Sequence, residues 1–237
     1  YWTDNSKLQK QYDYMESHKN CSLVCASGEM IMSSTGETID VIPSGLPEKD
    51  LAFGEILDCW PVPTASFFLR REVLEDYASE WTFRKPLGDL PMALFSKTKG
   101  AVHYFDSVCV AYRFRNPGSW TDRMTDASFA CRHYERMVEM FESIDVATGG
   151  RYADELTKVI ENCLSGISEK KGISALREDR YKKYFSMRIL ILHFKRAIQS
   201  KLNYVLKWFG YEARKRRGKF LPVRIVKVRK APGQKQG

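Results

Sequence analysis

Several features are scarce in this sequence, and each absence excludes a class of protein or site. The 237 residues contain no apolar, charge-free run long enough for a membrane span. The six cysteines lack a CxxC pair and the dense spacing of secreted scaffolds, which favours reduced cysteines in a cytosolic core. Cys-x3-Cys spacing without a second close pair is weak support for a zinc site made of Cys21, Cys25, Cys59 and His103.

Histidines and C-terminal acids are scarce as well. His18, His133 and His193 have no partner at catalytic or ligand spacing, so we assign them no role. Residues 180–237 contain 18 Lys and Arg against one acid, whereas residues 1–179 contain 20 against 28. This asymmetry predicts an acidic body with a basic arm, and the partner of that arm should be anionic.

The residues that are present describe a folded chain. An apolar fraction of 43% with 13% aromatics excludes wholesale disorder and allows one or two domains with a real core. The first residue is Tyr, which predicts a fragment or a processed piece of a longer protein. A turn at residues 35–38 separates short apolar runs and predicts a hairpin, and residues 66–69 predict a buried strand.

The stretch at residues 88–120, GDLPMALFSKTKGAVHYFDSVCVAYRFRNPGSW, organises the rest of the chain. Asp89 precedes Pro91 and an apolar run, which is typical of a helix start, and Gly100 ends that helix. Residues 101–105 and 108–114 alternate as two strands around a turn at residues 106–107. The stretch therefore predicts a short helix followed by a hairpin.

The order GD-L-P, a small helix and then YFDSVCVAYRFRNPGSW resembles the second half of bacterial family-2 glycosyltransferases. The opening YWTDNSKLQKQ is similar to the segment after that family's metal-binding aspartates, and PTASFFLRR resembles its strand ahead of the helix that leads to the base. These three matches occur in the family's order and cover roughly residues 1–120.

The resemblance implies an α/β fold with a GT-A-like mixed sheet, represented by its acceptor-side half and followed by a helical, basic C-terminal extension. We expect three parts: residues 1–121 from the transferase domain, residues 122–179 as helices packing on it, and residues 180–237 as a basic amphipathic helix and tail. The implied reaction is an inverting transfer of a sugar from a nucleotide-sugar donor to a hydroxyl of a glycan or lipid-linked acceptor. The setting would be bacterial cell-surface polysaccharide or lipopolysaccharide biosynthesis.

Asp89 matches the family's catalytic base, and a carboxylate can take the proton of the attacking hydroxyl. From local sequence alone, Asp89 is better explained as a helix cap. Arg113 and Arg115 alternate, so in a strand both would face one side and hold phosphate oxygens, although a solvated strand edge explains them equally well. Trp120 and Trp2 are candidates for stacking on sugar or base faces, or simple rim aromatics.

The resemblance also implies a divalent cation, Mn²⁺ or Mg²⁺, whose ligands lie mostly upstream of Tyr1. Many relatives have a His that helps to hold the metal where this chain has Arg115, so we predict no metal ligand in this chain. Residues 1–237 alone should therefore be inactive.

The last predicted helix, residues 180–209, has one apolar stripe. With steps of three and four residues the stripe spans about 80°; its members are Tyr184, Met187, Ile191, Phe194, Ile198, Leu202, Val205 and Phe209. Three interpretations stay open: a peripheral membrane helix, a nucleic-acid-binding arm, and a helix that buries its stripe on the body. We favour an anionic membrane surface bound through residues 180–230, without nucleic acid, on the inner face of the cell membrane.

The alternative to a transferase is a non-catalytic protein that binds membrane or nucleic acid through the basic arm. It predicts that Asp89→Asn changes nothing and that removal of residues 180–237 abolishes function.

Overall fold

The protein is an α/β structure with a mixed sheet, as the predicted fold class requires. The computed structural model describes residues 1–208, 211–215 and 223–227, and side chains up to residue 198 except those of residues 59 and 197. The elements are α1 (Lys7–Ser17), β1 (Cys21–Met32), β2 (Thr38–Ile42), β3 (Lys49–Leu51), α2 (Phe53–Cys59), β4 (Phe68–Leu69), α3 (Arg71–Glu80), α4 (Asp89–Lys99), β5 (Ala101–Phe114), α5 (Trp120–Arg123), α6 (Ala127–Ala147), α7 (Ala153–Lys171), α8 (Asp179–Lys182), α9 (Met187–Trp208), β6 (Tyr211–Lys215) and β7 (Val223–Lys227). Single 3-10 turns lie at Thr64–Ser66 and Ile173–Arg177.

The sheet is built on one long parallel pair, β1 and β5. Its strand order is β2-β1-β5-β3, and β2, β3 and β4 each pair antiparallel. The predicted hairpin is confirmed, because β2 returns antiparallel on β1 after the turn at residues 33–36. The predicted strand at residues 66–69 is shorter than expected, because a 3-10 turn occupies its beginning and only Phe68–Leu69 pairs with β1.

The predicted second hairpin at residues 101–114 is wrong. These residues form the single strand β5, which stays parallel to β1 along its whole length. Phe105 pairs with Ala26 and Val108 pairs with the next residue, Ser27, so Asp106 and Ser107 bulge outward instead of turning the chain. A bulge of this kind shifts the alternation of buried positions without reversing direction, which a pattern of two apolar runs cannot reveal.

One hydrophobic core joins the sheet to the C-terminal helices. It contains Leu23 of β1, Tyr104 of β5 and Phe95 of α4, and continues into Phe141 of α6 and Leu164 of α7. Residues of α6 and α7 thus belong to the same core as those of the sheet. Asp126 caps α6 by accepting a hydrogen bond from the backbone N–H of Phe129, at 2.7 Å.

Helix α7 continues through Gly166 to Lys171. Gly166 serves close packing inside the helix: a Cβ atom there would lie 2.6 Å from a ring carbon of Tyr134 and 2.9 Å from the Arg196 guanidinium.

Helix α1 buries polar side chains together with an apolar one. Leu8 and Tyr12 are exposed, whereas Lys7, Gln11 and Met15 are buried. The inward polar groups bond to each other, because Lys7 Nζ donates to Gln11 Oε1 at 2.7 Å. An internal polar pair at helical spacing therefore forms part of the buried face of α1.

The predicted helix at residues 180–209 is divided into α8 and α9. Ser186, just ahead of α9, accepts a hydrogen bond from the N–H of Ile189 at 3.4 Å and donates one to Glu161 Oε1 at 2.5 Å. Phe209 and residues 216–222 and 228–237 of the basic arm lie outside the described residues. Over the described part of the chain, every helix is too short or too polar to cross a bilayer.

Candidate functional site

Asp89 is a half-exposed carboxylate in the first turn of α4. Gly88 occupies the N-cap position, so Asp89 is the first helical residue and not the cap. Its Oδ1 accepts a hydrogen bond from the N–H of Leu90 at 2.8 Å, and its Oδ2 accepts one from the Thr64 hydroxyl at 3.3 Å. The helix N-terminus stabilises the negative charge, and the two bonds fix the direction of the carboxylate.

The 3-10 turn Thr64–Ser66, which holds Asp89, is fastened to the sheet by Ser66. This serine is fully buried, accepts a hydrogen bond from the N–H of Ala26 at 3.1 Å and donates one to the carbonyl of Pro63 at 2.7 Å. Gln11 Nε2 donates to the Ser66 carbonyl at 2.7 Å. The turn that contains Thr64, the hydrogen-bond partner of Asp89, is thereby anchored to both β1 and α1.

Trp2 reaches the same turn from the other side. Its indole N–H donates to the carbonyl of Ala65 at 3.0 Å, while 54% of the residue stays exposed. The Lys7 ammonium lies 4.9 Å from the indole centroid. Burial lowers the pKa of Lys7. Of the five predicted site residues, Asp89 and Trp2 are thus brought to one three-residue turn.

Tyr77 of α3 interacts electrostatically with Asp89, and the sequence analysis did not identify it. Burial and then the negative charge of Asp89 raise the pKa of Tyr77 to about 12. The Lys85 ammonium lies 4.4 Å from its ring centroid and donates to the carbonyl of Trp81. Thr64, Ser66 and Gln11 were missed too, because their contacts with Asp89, β1 and the turn link residues more than 20 positions apart.

Arg113 and Arg115 are both exposed, but the prediction that they share one strand face is wrong. Strand β5 ends at Phe114, and Arg115 follows with a left-handed backbone at φ 54°. The alternation rule applies only within the strand, so it places Arg113 and not Arg115. The Arg115 guanidinium lies 5.5 Å from the ring centroid of Phe114.

Trp120 is the first residue of α5, which Ser119 caps. Its ring meets His133 edge to face, with centroids 5.2 Å apart, and 43% of the residue is exposed. Within the ranges that the structure describes, no hydrogen bond, ion pair or ring contact joins Trp120, Arg113 or Arg115 to Asp89. The predicted site therefore divides into an Asp89 side and an arginine side.

The residues of the hypothetical zinc site have other partners. His103 Nδ1 lies 2.7 Å from Asp50 Oδ1 and 2.8 Å from the Tyr14 hydroxyl, and the rings of His103 and Tyr14 stack. Cys21 and Cys25 are buried thiols. No group of three metal-ligating side chains is assembled anywhere among the described residues.

The comparisons with known proteins add no name to this geometry. No family model matches the chain, and no curated protein is similar to it. The resemblance to family-2 glycosyltransferases stays a prediction, and the site has to be interpreted from its own contacts.

Proposed function

We propose that this chain is the acceptor-side half of an inverting, GT-A-type glycosyltransferase in which Asp89 is the general base. The supporting observation is the position of Asp89: a half-exposed carboxylate, oriented by two hydrogen bonds, beside a turn that also holds an exposed indole. A proton acceptor must be oriented toward its substrate, and an exposed aromatic face is a common support for a sugar ring.

In the proposed reaction an acceptor hydroxyl oxygen attacks the anomeric carbon of the donor sugar. The new C–O bond forms as the bond from that carbon to the diphosphate oxygen breaks, which inverts the configuration. The hydroxyl proton passes to Asp89, and the nucleoside diphosphate leaves with the electron pair. Trp2 orients the sugar, and Arg113 and Arg115 neutralise part of the leaving charge.

A divalent cation would supply the remaining neutralisation of the diphosphate. Among the described residues, no cluster of carboxylates or imidazoles is assembled beside Asp89, so this part of the chain does not fit as a cation site by itself. The resemblance assigns the ligands to residues upstream of Tyr1, and we assign no step to the ion here. Residues 1–237 without that upstream half should show negligible turnover.

The test is nucleotide release from a panel of UDP- and GDP-sugars with Mn²⁺ or Mg²⁺, using the full-length parent. Asp89→Asn keeps the size of the side chain but replaces one acceptor oxygen by an NH2 group and removes the base, so release should fall by about 10²–10⁴-fold. Asp106→Asn is the matched control, because Asp106 is an exposed carboxylate in the bulge of β5. Equal release by the two variants would contradict the role of Asp89.

The non-catalytic alternative is favoured by one observation, the exposure of apolar side chains on α9. It is separated from the transferase by a pair of variants of the full-length protein. A transferase loses release with Asp89→Asn, whereas a pure binding protein is indifferent to that change and fails when residues 180–237 are removed.

A further inference from the structure

The described side chains of helix α9 that bond to or pack on the body share one face. On that face Ile189 is fully buried in the main core, His193 Nδ1 lies 2.9 Å from the Ser168 hydroxyl, and Arg196 donates to the carbonyl of Asn162 at 3.1 Å. Arg188 adds an ion pair with the buried Glu161. These partners all belong to α7, which fixes the rotation of α9 about its own axis.

The opposite face of α9 exposes large apolar side chains in a row. The exposed stripe consists of Met187 (70% exposed), Ile191 (47%), Phe194 (61%) and Ile198 (66%). At 100° per residue, the buried Ile189 lies about 160° around the helix from Ile191. The interpretation that the helix buries this stripe on the body is therefore wrong for these four residues. Of the stripe members whose side chains are described, Tyr184, ahead of α9, is the one that packs on the core. The side chains of Leu202 and Val205 lie outside the described residues.

This exposure is unusual in its arrangement. Single exposed apolar residues are normal, whereas a contiguous row on one helix face marks a surface that another apolar phase covers. Phe185, 51% exposed, extends the row toward α8. Because α7 already occupies the inner face, rotation of α9 could not bury the stripe without exposing Ile189.

The charge of the residues around the exposed stripe indicates what kind of surface covers it. Residues 180–208 contain eight Lys and Arg and no Asp or Glu. The hairpin that follows, β6 and β7, carries Arg214, Lys215, Arg224 and Lys227 against Glu212. Lys195 is exposed at about 40° from Ile191, beside the stripe. At this end Glu142 and Glu161 pair with Lys183 and Arg188, and Glu178 and Asp179 pair with Arg180 and Lys182.

We propose that α9 lies in the headgroup region of an anionic lipid bilayer, with the exposed stripe inserted among the acyl chains. The basic residues of α9 and the hairpin would bind the lipid phosphates, and each basic residue near such a surface strengthens binding about fivefold. The acidic body would point away from the bilayer. An apolar row between cations matches a membrane surface better than nucleic acid, whose backbone offers phosphates but no apolar interior.

A second copy of the chain is a less suitable occupant. Two stripes could cover each other, but a two-fold contact would bring the two basic segments together at the same interface. Their repulsion would oppose association, whereas anionic lipid removes it.

The proposal is tested by flotation of the full chain with phosphatidylcholine vesicles, with and without phosphatidylglycerol. We expect binding to the anionic vesicles and little to the neutral ones. The double variant Phe194→Ser with Ile198→Ser should lower partitioning about tenfold or more, because two apolar side chains no longer enter the bilayer. The matched control is Leu74→Ser with Val146→Ser, which removes two exposed apolar side chains from α3 and α6 and should leave partitioning unchanged.

Insertion itself has a separate readout. In Phe194→Trp, the emission of the introduced tryptophan should shift to shorter wavelength with anionic vesicles. In Val146→Trp, it should not shift. Absence of flotation, equal binding to neutral and anionic vesicles, or equal partitioning of the two double variants would overturn the proposal. Stripe-dependent dimers in the absence of vesicle binding would assign the stripe to a second copy instead. The attachment is independent of the proposed reaction, so Asp89→Asn should float like the unmodified chain.

Discussion

Two short segments border the two sides of the candidate site, and they are held in opposite ways. The turn Thr64–Ser66 bonds to parts of the chain that are far away in sequence, including Gln11, Ala26 and Trp2. The loop at residues 115–120 relies mainly on neighbours: Gly118 bonds to Asp122, and Arg115 bonds to Thr121. Its one hydrogen bond to a distant side chain in the described structure joins Asn116 to Ser33, at 3.1 Å.

This difference indicates different roles for the two sides. A proton acceptor is effective only when its geometry is fixed before the substrate arrives, which suits the anchored turn beside Asp89. Groups that neutralise a charged leaving group can close on it, and a loop with few buried contacts opens at low cost. We therefore expect changes in the anchored turn to lower the free energy of unfolding, and changes in the loop to leave it nearly unaltered.

Gly28 provides the largest expected effect. A Cβ atom at this position would lie 2.7 Å from Val110 Cγ2 and 2.8 Å from Pro63 Cγ, so the glycine allows the turn to approach β1 and β5. Gly28→Ala should lower the free energy of unfolding by about 3 kcal/mol, because strand and turn must separate. Urea denaturation measures the change. Gly88→Ala, at a position with open space, is the control and should be nearly neutral.

Ser66 and Ser119 compare the two segments directly. Ser66→Ala removes the acceptor of the Ala26 N–H in the buried turn and should lower the free energy of unfolding by about 2 kcal/mol. Ser119→Ala removes the cap of the four-residue helix α5, which remains open to water, and should cost about 0.5 kcal/mol. Equal losses in urea denaturation would contradict the difference in anchoring.

The sequence predicted the elements whose signals are local. The start of α4 at Asp89, its end before Gly100 and the β1–β2 hairpin all follow from residues within a few positions of each other. The single strand β5 was missed, because the partner that keeps it straight is β1, about 80 residues earlier. The polar inner face of α1 was missed for the same reason, since Gln11 is buried by its bond to Ser66.

The candidate site was predictable in its residues but not in its grouping. Asp89 and Trp2 were named from the sequence, yet only the fold brings both to the turn Thr64–Ser66. Strand alternation predicted that both arginines share one face. Strand β5 ends at Phe114, however, and Arg115 has a positive φ, so the alternation does not extend to Arg115. A backbone conformation at one position has no reliable signal in a single sequence when the residue is not glycine.

The left-handed backbone conformation of Arg115 provides a further test of the loop at residues 115–120. Valine is β-branched and disfavours the left-handed region, whereas glycine adopts it freely. Arg115→Val should therefore be less stable than Arg115→Gly by about 1 kcal/mol, in spite of the exposure of the site. The same pair of changes at Arg113, an extended residue of β5, should reverse the order, since valine favours strands. Thermal unfolding of the four variants provides the measurement.

His133 supplies the smallest effect, and it depends on pH. Burial, and then the charge of Arg136, lower the pKa of this histidine below 6.5, on the α6 face that Trp120 covers. Below about pH 6.5 the unfolded chain binds a proton that the folded chain does not bind, so stability declines as the pH falls toward the folded pKa and then levels off. His133→Phe keeps a ring against Trp120 and removes this part of the pH dependence.

Urea midpoints at about pH 8 and pH 5 measure the effect in both proteins. The difference between the two pH values should be smaller in His133→Phe than in the unmodified chain. If His133→Phe retains the original difference, protonation at this position does not disturb the contact beneath Trp120. Protonation on α6 would then not be transmitted to the arginine side, whose loop is held by its bonds to Thr121 and Asp122 and by the hydrogen bond from Ser33 to Asn116.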